Sequence, residues 1–223
     1  MFNRLITVGP FAILAAGFGS AATIIPVKYI DAYNTGTVQR DVGDGGGFIT
    51  LTTGLLHFKL DPAGANTDYL AFCIEPRQFV NSSTQNYMTA PLSQGATNIG
   101  GMGAAKAELL KELFGRFYPT LNTPVSNLIG GALQVAVWEI VRETSGTLDV
   151  VNGTTRFQNP SIANMLTQAQ SYLDALDGTG PKLQTLQALN HPDYQDIVFT
   201  PEPGTLGVLG AALMALGLYR RRR

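Results

Sequence analysis

Three side chains stand out for the chemistry they could do. Cys73 is the only cysteine of 223 residues and Trp138 the only tryptophan. Gln134 precedes Trp138 by one helical turn in Leu133-Gln134-Val135-Ala136-Val137-Trp138. A lone cysteine in an exported chain has no internal disulfide partner. It is a buried apolar filler, an intermolecular partner or a reactive thiol. The other chemistry-bearing residues form no pattern. His57 and His191 are far apart and lack metal-ligand spacing. Glu139 and Glu143 share a helix face with Arg142 nearby, which reads as a solvated face rather than an acid–base pair. No CxxC, Walker or dinucleotide fingerprint is present. These readings imply no metal and no cofactor.

The elements that must position these residues are legible in part. Tyr69-Leu70-Ala71-Phe72-Cys73-Ile74 is apolar, partly aromatic and closed by Pro76, so Cys73 is expected on a short strand. Gln134 falls in a helix expected from Thr123 to Gly146. Thr123 caps it, Pro124 takes its first position and Gly146 stops it. Val125, Leu128, Ile129, Ala132, Leu133, Ala136, Val137 and Ile140 recur on one face. Gly130 and Gly131 weaken that helix and allow another backbone to approach. The plain alternative is a core helix with a glutamine at its margin.

Around these, Thr23 to Tyr33 reads as a strand interrupted by Pro26, and Phe48 to Leu60 as a strand pair bent at Gly54. The run from Gly43 to Gly47 and Asp61-Pro62-Ala63-Gly64 read as turns. Asn81 to Gly103 reads as a loop. Helices are expected over Ala104 to Phe117, Pro160 to Leu176 and Lys182 to Leu189. A hairpin is expected at Asn152-Gly153 and a final strand over Asp196 to Thr200. The fold class is α+β: a β-sheet or sandwich part with an inserted helical part.

Both ends carry sorting features. Arg4, the apolar stretch Leu5 to Phe18 and Gly19-Ser20-Ala21-Ala22 read as a secretory signal peptide over residues 1–22. Residues 23–200 then form the folded domain, and 201–223 a tail. Of 15 Lys and Arg, Arg4 and Arg220 to Arg223 lie in the terminal segments, leaving 10 between; of 16 Asp and Glu, Glu202 lies in the tail, leaving 15. A stretch with a net charge near −5 lacks the basic face that nucleic acid requires.

The tail has three parts: Pro201-Glu202-Pro203, an apolar run from Gly204 to Tyr219, and Arg220, Arg221, Arg222 and Arg223. As a helix the apolar run spans roughly 24 Å against a membrane core of about 30 Å, with the arginines held on the cytoplasmic side. This pattern resembles the PEP-CTERM sorting tail. The resemblance implies a bacterium whose exosortase recognises and removes the tail. It also implies a transient transmembrane anchor and a final place at the cell surface or in the extracellular matrix, in association with exopolysaccharide.

Phe72-Cys73-Ile74 followed by Leu133-Gln134-Val135-Ala136-Val137-Trp138 resembles the two motifs of Cys–Gln thioester domains in bacterial surface adhesins. Those adhesins are anchored to Gram-positive walls, whereas this chain ends in a different tail. The resemblance covers about Lys28 to Phe199. It implies an internal thioester between Cys73 and Gln134, walled by Phe72, Val137 and Trp138. Such a bond forms when the thiolate attacks the amide carbon and ammonia leaves. It is a stored acyl donor for an amine or hydroxyl on a surface or matrix partner. The chain would then act once, as an adhesive crosslinker in a biofilm, and not as an enzyme. His57 and Glu139 are candidate bases. Two other readings are a passive matrix protein with ordinary core residues at 73 and 134, and a cysteine hydrolase or transferase that pairs Cys73 with a histidine.

Overall fold

The computed structural model describes residues 22–41, 43, 45–118 and 126–199. The segments expected as a signal peptide (apart from Ala22) and as a tail with an apolar helix, together with Thr123 and Pro124, lie outside the described residues. Among the described residues, no helix is long and apolar enough to cross a membrane.

Among the described residues, seven antiparallel strands form one sheet in the order β2-β3-β7-β6-β4-β1-β5, and β2 also pairs with β1. The sheet therefore closes on itself through six strands, with β5 added beside β1, and is not a sandwich of two sheets. β1 (Ile24–Asp41) is the longest strand. It pairs at its start with β4 (Gln85–Pro91) and over most of its length with β2 (Ile49–Leu60). β3 (Thr67–Cys73) and β7 (Ile197–Phe199) continue the sheet from β2, and β6 (Gln187–Asn190) joins β7 to β4. Between β4 and β6 the chain inserts α1 (Gly103–Phe117), α2 (Asn127–Arg142), the short β5 (Arg156–Gln158) and α3 (Met165–Asp174). The α+β class with an inserted helical part is what the sequence led us to expect.

Several local expectations fail, each for a tertiary reason. β1 runs through Pro26. This residue needs no N–H on its final rung with β2, where its carbonyl accepts from Asp61 N at 2.7 Å. Residues 49–60 form one strand rather than a pair, though it does bend at Gly54. The supposed loop after Asn81 contains β4, whose Tyr87 is buried. The segment expected as a helix from Lys182 ends instead in β6. There Ala188 and Leu189 are both fully buried between β4 and β7, so pairing overrides helix propensity. The 148–157 segment is a compact turn rather than a hairpin. Its Asp149 carboxylate accepts the N–H groups of Val151 and Asn152, and β5 pairs with β1. α2 is capped by Ser126, whose hydroxyl accepts from Ile129 N. It ends at Arg142, because Glu143 is extended, and Gly146 sits farther on in a turn. α3 starts only at Met165, since Ser161 is bonded to the backbone of Thr37 on β1.

Two apolar clusters result. Val27, Phe58, Tyr69, Ala71, Tyr87, Leu189, Ile197 and Phe199 pack together within the sheet. The larger cluster joins the helices to the sheet around α2, and Cys73 belongs to it. From Gly130 to Val141 every residue of α2 is buried, so the helix runs through the core instead of lying along its margin.

Candidate functional site

The site begins as a gap in a ladder. On its β7 side Cys73 faces Ile197, and Ile74 N donates to Asp196 O at 3.0 Å. In an antiparallel pair the bonded rungs alternate, so the N–H and C=O of Cys73 point the other way, toward β2. The last β2–β3 rung is Leu56 with Ala71. Extending that register would place Gly54 opposite Cys73, but β2 has already turned away. Gly54 has φ +127°, and a Cβ there would stand 2.6 Å from Tyr33 O and 2.8 Å from Asn34 O. Glycine thus lets β2 press onto the irregular stretch of β1 between Tyr33 and Gly36, away from β3.

Helix α2 fills the gap. Gly130 comes close to Asn34 and Leu55, and Gly131 to Thr53 and Met165, so the glycine pair seats the helix against β1 and β2. One turn later the Gln134 side chain takes the rung that β2 leaves open. Cys73 N donates to Gln134 Oε1 at 3.0 Å, and Gln134 Nε2 donates to Cys73 O at 2.8 Å. A further turn along, Trp138 Nε1 donates to Cys73 Sγ at 3.3 Å. Phe157 on β5 stacks on the Trp138 ring at 6.5 Å. Phe72 meets Phe114 of α1 edge-on at 5.6 Å, and Val137 is fully buried in the same core. The structure therefore brings together Cys73, Gln134 and Trp138, and it buries Phe72 and Val137 in the same core cluster.

The thiol is held in its neutral form. Burial pushes the Cys73 thiol up to about 12, against the opposing pull of the Trp138 and Glu75 N–H groups. A thiol is a poor nucleophile until its proton leaves, so any reaction here needs help with that charge.

The two candidate bases are engaged elsewhere. His57 is bonded to Asp31 at 2.8 Å and to Asp68 at 2.7 Å. Glu139 is fully buried and accepts from Asp149 N at 2.9 Å. Burial, followed by repulsion from Glu143, raises its carboxyl to about 8. Glu143 is buried too, and hydrogen bonds from Thr154, Ser145 and Thr155 outweigh burial to lower it to about 2. The pair is thus no solvated face; its carboxylates brace the loop after α2.

Sequence reasoning missed three ionisable groups around Cys73. Glu75, two residues on, is 1 % exposed, and Asp196 is fully buried. Asp196 accepts from His191 N, Thr97 N and Thr97 Oγ1. Glu75 accepts from Asn98 N, while its Oε2 receives no donor among the described residues. Burial and the facing Asp196 raise the Glu75 carboxyl. Arg40 of β1 is the third, 2 % exposed. Glu75 lies in the Cys-Ile-Glu-Pro run and was open to notice. Arg40 and Asp196 are brought in by strand pairing and carry no local signature.

Comparison with known proteins bears on the tail. Residues 199–223 match the PEP-CTERM protein-sorting motif. No match was found among curated proteins or solved structures. The tail marks the chain for export and for exosortase processing at the cell surface, and exosortase is its partner there.

Proposed function

We propose that this surface protein forms an internal thioester between Cys73 and Gln134 and uses it to attach covalently to an amine or hydroxyl on a surface or matrix component. The observation that carries the reading is the two-point contact between the Gln134 amide and the Cys73 backbone, with Trp138 N–H on Sγ. The contact fixes the amide against the residue that carries the thiol, which removes most of the entropic cost of their meeting. It also places an N–H donor, that of Cys73 itself, on the oxygen where negative charge would develop. In the reaction the thiolate attacks Gln134 Cδ, the C–N bond breaks, and the nitrogen leaves as ammonia with the thiol proton. Burial of Cys73 and Gln134 keeps water from the product. The protein would act once per molecule, as a crosslinker rather than an enzyme. Its domain over residues 23–200 would be the reactive unit, released from the membrane when the tail is cut.

The same two bonds also favour a second reading. The Gln134 amide fully satisfies the backbone of Cys73, which is what a purely structural plug in a passive matrix protein would do. The hydrolase reading has less support, because both His57 and His191 are tied to partners other than Cys73.

Intact mass separates the two leading readings. Freshly folded mature protein is expected one ammonia lighter than its sequence, and Cys73→Ala and Gln134→Ala are each expected at full mass. Full mass for the fresh parent would discard the thioester and leave the structural plug.

A further inference from the structure

Arg40 is buried, at 2 % exposure, yet its Nε and Nη1 have no hydrogen-bond partner among the described residues. Burying a guanidinium without an anion is costly, and a native fold keeps such a group for a reason. Its neighbour Asp41 does not serve, because that carboxylate is taken by Arg156 and by Gly43 N.

Strand pairing shows where the charge points. Arg40 stands directly opposite Phe157 in the β1–β5 ladder, and opposite residues share a face of the sheet. Phe157 stacks on Trp138, and Trp138 donates to Cys73 Sγ. Arg40 therefore lies on the face of the sheet that carries Phe157, Trp138 and the thiol, near enough for its charge to favour a thiolate at Cys73.

We infer that Arg40 stabilises the negative charge that forms at Cys73, its open N–H donors held for the thiolate and for the oxyanion that follows on Gln134. The second half of this inference rests on the thioester reading, whereas the first concerns the thiol alone. Arg40 has Arg142 of α2 and Arg77 beyond β3 as like charges, with Asp41 and Cys73 as the opposing groups. Cys73 in turn faces Glu75 as well as Arg40, and Tyr87 of β4 lies within reach of its charge. Burial, followed by repulsion from Arg142 and Arg77, works against the Arg40 charge, which is short of an anion while the thiol is neutral. A thiolate relieves that shortage.

Two measurements test this and separate it from the thioester reading. In a Gln134→Ala background no thioester can form. Reaction of the Cys73 thiol with methyl methanethiosulfonate is followed from pH 7 to pH 9, with circular dichroism to verify folding. Arg40→Met is expected to slow the reaction by about tenfold, a shift of one pKa unit, and Arg40→Lys to restore most of the rate. Equal rates and equal pH dependence for the unsubstituted Arg40 protein and both of its variants overturn the inference. If Arg40→Met does not fold, Arg40→Gln takes its place under the same criterion. In the second measurement Gln134 is present and ammonia loss is timed by mass after refolding. Slower loss in the neutral variant, with rescue by Arg40→Lys, supports the oxyanion role. Loss at the parental rate overturns that role. A parent that never loses ammonia overturns the thioester reading and the oxyanion role together, while the thiol measurement still decides whether Arg40 acts on the thiolate.

Discussion

The side-chain amide of Gln134 closes the backbone of Cys73 as a paired strand would, with bonds of 3.0 and 2.8 Å. The relationship arises because the β2–β3 ladder stops at Leu56 and Ala71 and α2 brings a glutamine to the open rung. Change at residue 134 is expected to cost some stability on structural grounds alone. Loss of stability in a Gln134 variant is therefore no sign of chemistry, and the product of the reaction must be read directly.

Methylamine provides that reading. Incubation of folded protein is expected to leave a methylamide on Gln134 and a titratable thiol on Cys73. Peptide mapping locates both. Denaturation without amine is expected to speed hydrolysis by admitting water, not to release the thiol at once. A thiol that titrates immediately on unfolding, with Gln134 unmodified, means that no bond was there.

Trp138→Ala removes a 2 % exposed ring that both fills the core and donates to Sγ. The expected loss is about 3–5 kcal/mol by denaturant titration. Faster hydrolysis of the link should accompany it. Trp138→Phe keeps much of the packing but not the donor, so it is expected to be milder in stability while still altering the thiol.

Gly54→Ala tests how the gap is made. The new Cβ would fall on Tyr33 O and Asn34 O at a φ that L-residues rarely adopt. The expected cost is at least about 1–3 kcal/mol. The variant is also expected to form the link more slowly, because β2 can no longer draw away from β3. Parental stability would show that the bend is not needed.

Stability should fall as pH rises from about 4.5 to about 8. The folded state raises Glu139 from 4.5 to about 8, so it binds that proton more tightly than the unfolded chain does. The stability held by this proton is complete below the unfolded value and is lost as pH climbs through the folded one. Glu75, also raised, acts in the same direction. Glu143 acts oppositely: lowered to about 2, it contributes above the ordinary carboxylate range and its contribution is lost as the pH drops toward 2. Glu139→Gln is therefore expected to flatten the decline between about pH 5 and pH 8 in thermal melts. An unchanged slope would show that Glu139 is not its source.

The tail makes a prediction about the native protein. In a host with the sorting system, mature chains are expected to begin near Ala22 or Thr23 and to end close to Pro203. Terminal sequencing checks this, and native chains that mostly retain Arg223 would argue against cleavage.

The sequence by itself determined the elements whose signals are local. The α1 periodicity, the turn at Asp61 and the strand ending at Cys73 needed no partner to be read, and the three-part tail is a linear pattern by nature. It also marked Gly130 and Gly131 as a place of close approach, since a missing Cβ is visible in one dimension. Only the tertiary structure decided the rest. β4 and β6 exist because Tyr87, Ala188 and Leu189 find partners far along the chain, and no local preference announces such pairing. Glu139 and Glu143 look like a solvated pair until the loop that they brace folds over them. Cys73 and Gln134, 61 residues apart, come into contact because Gly54 bends one strand away and α2 enters behind it. Arg40 joins them through the β1–β5 register, and register is a property of two strands together.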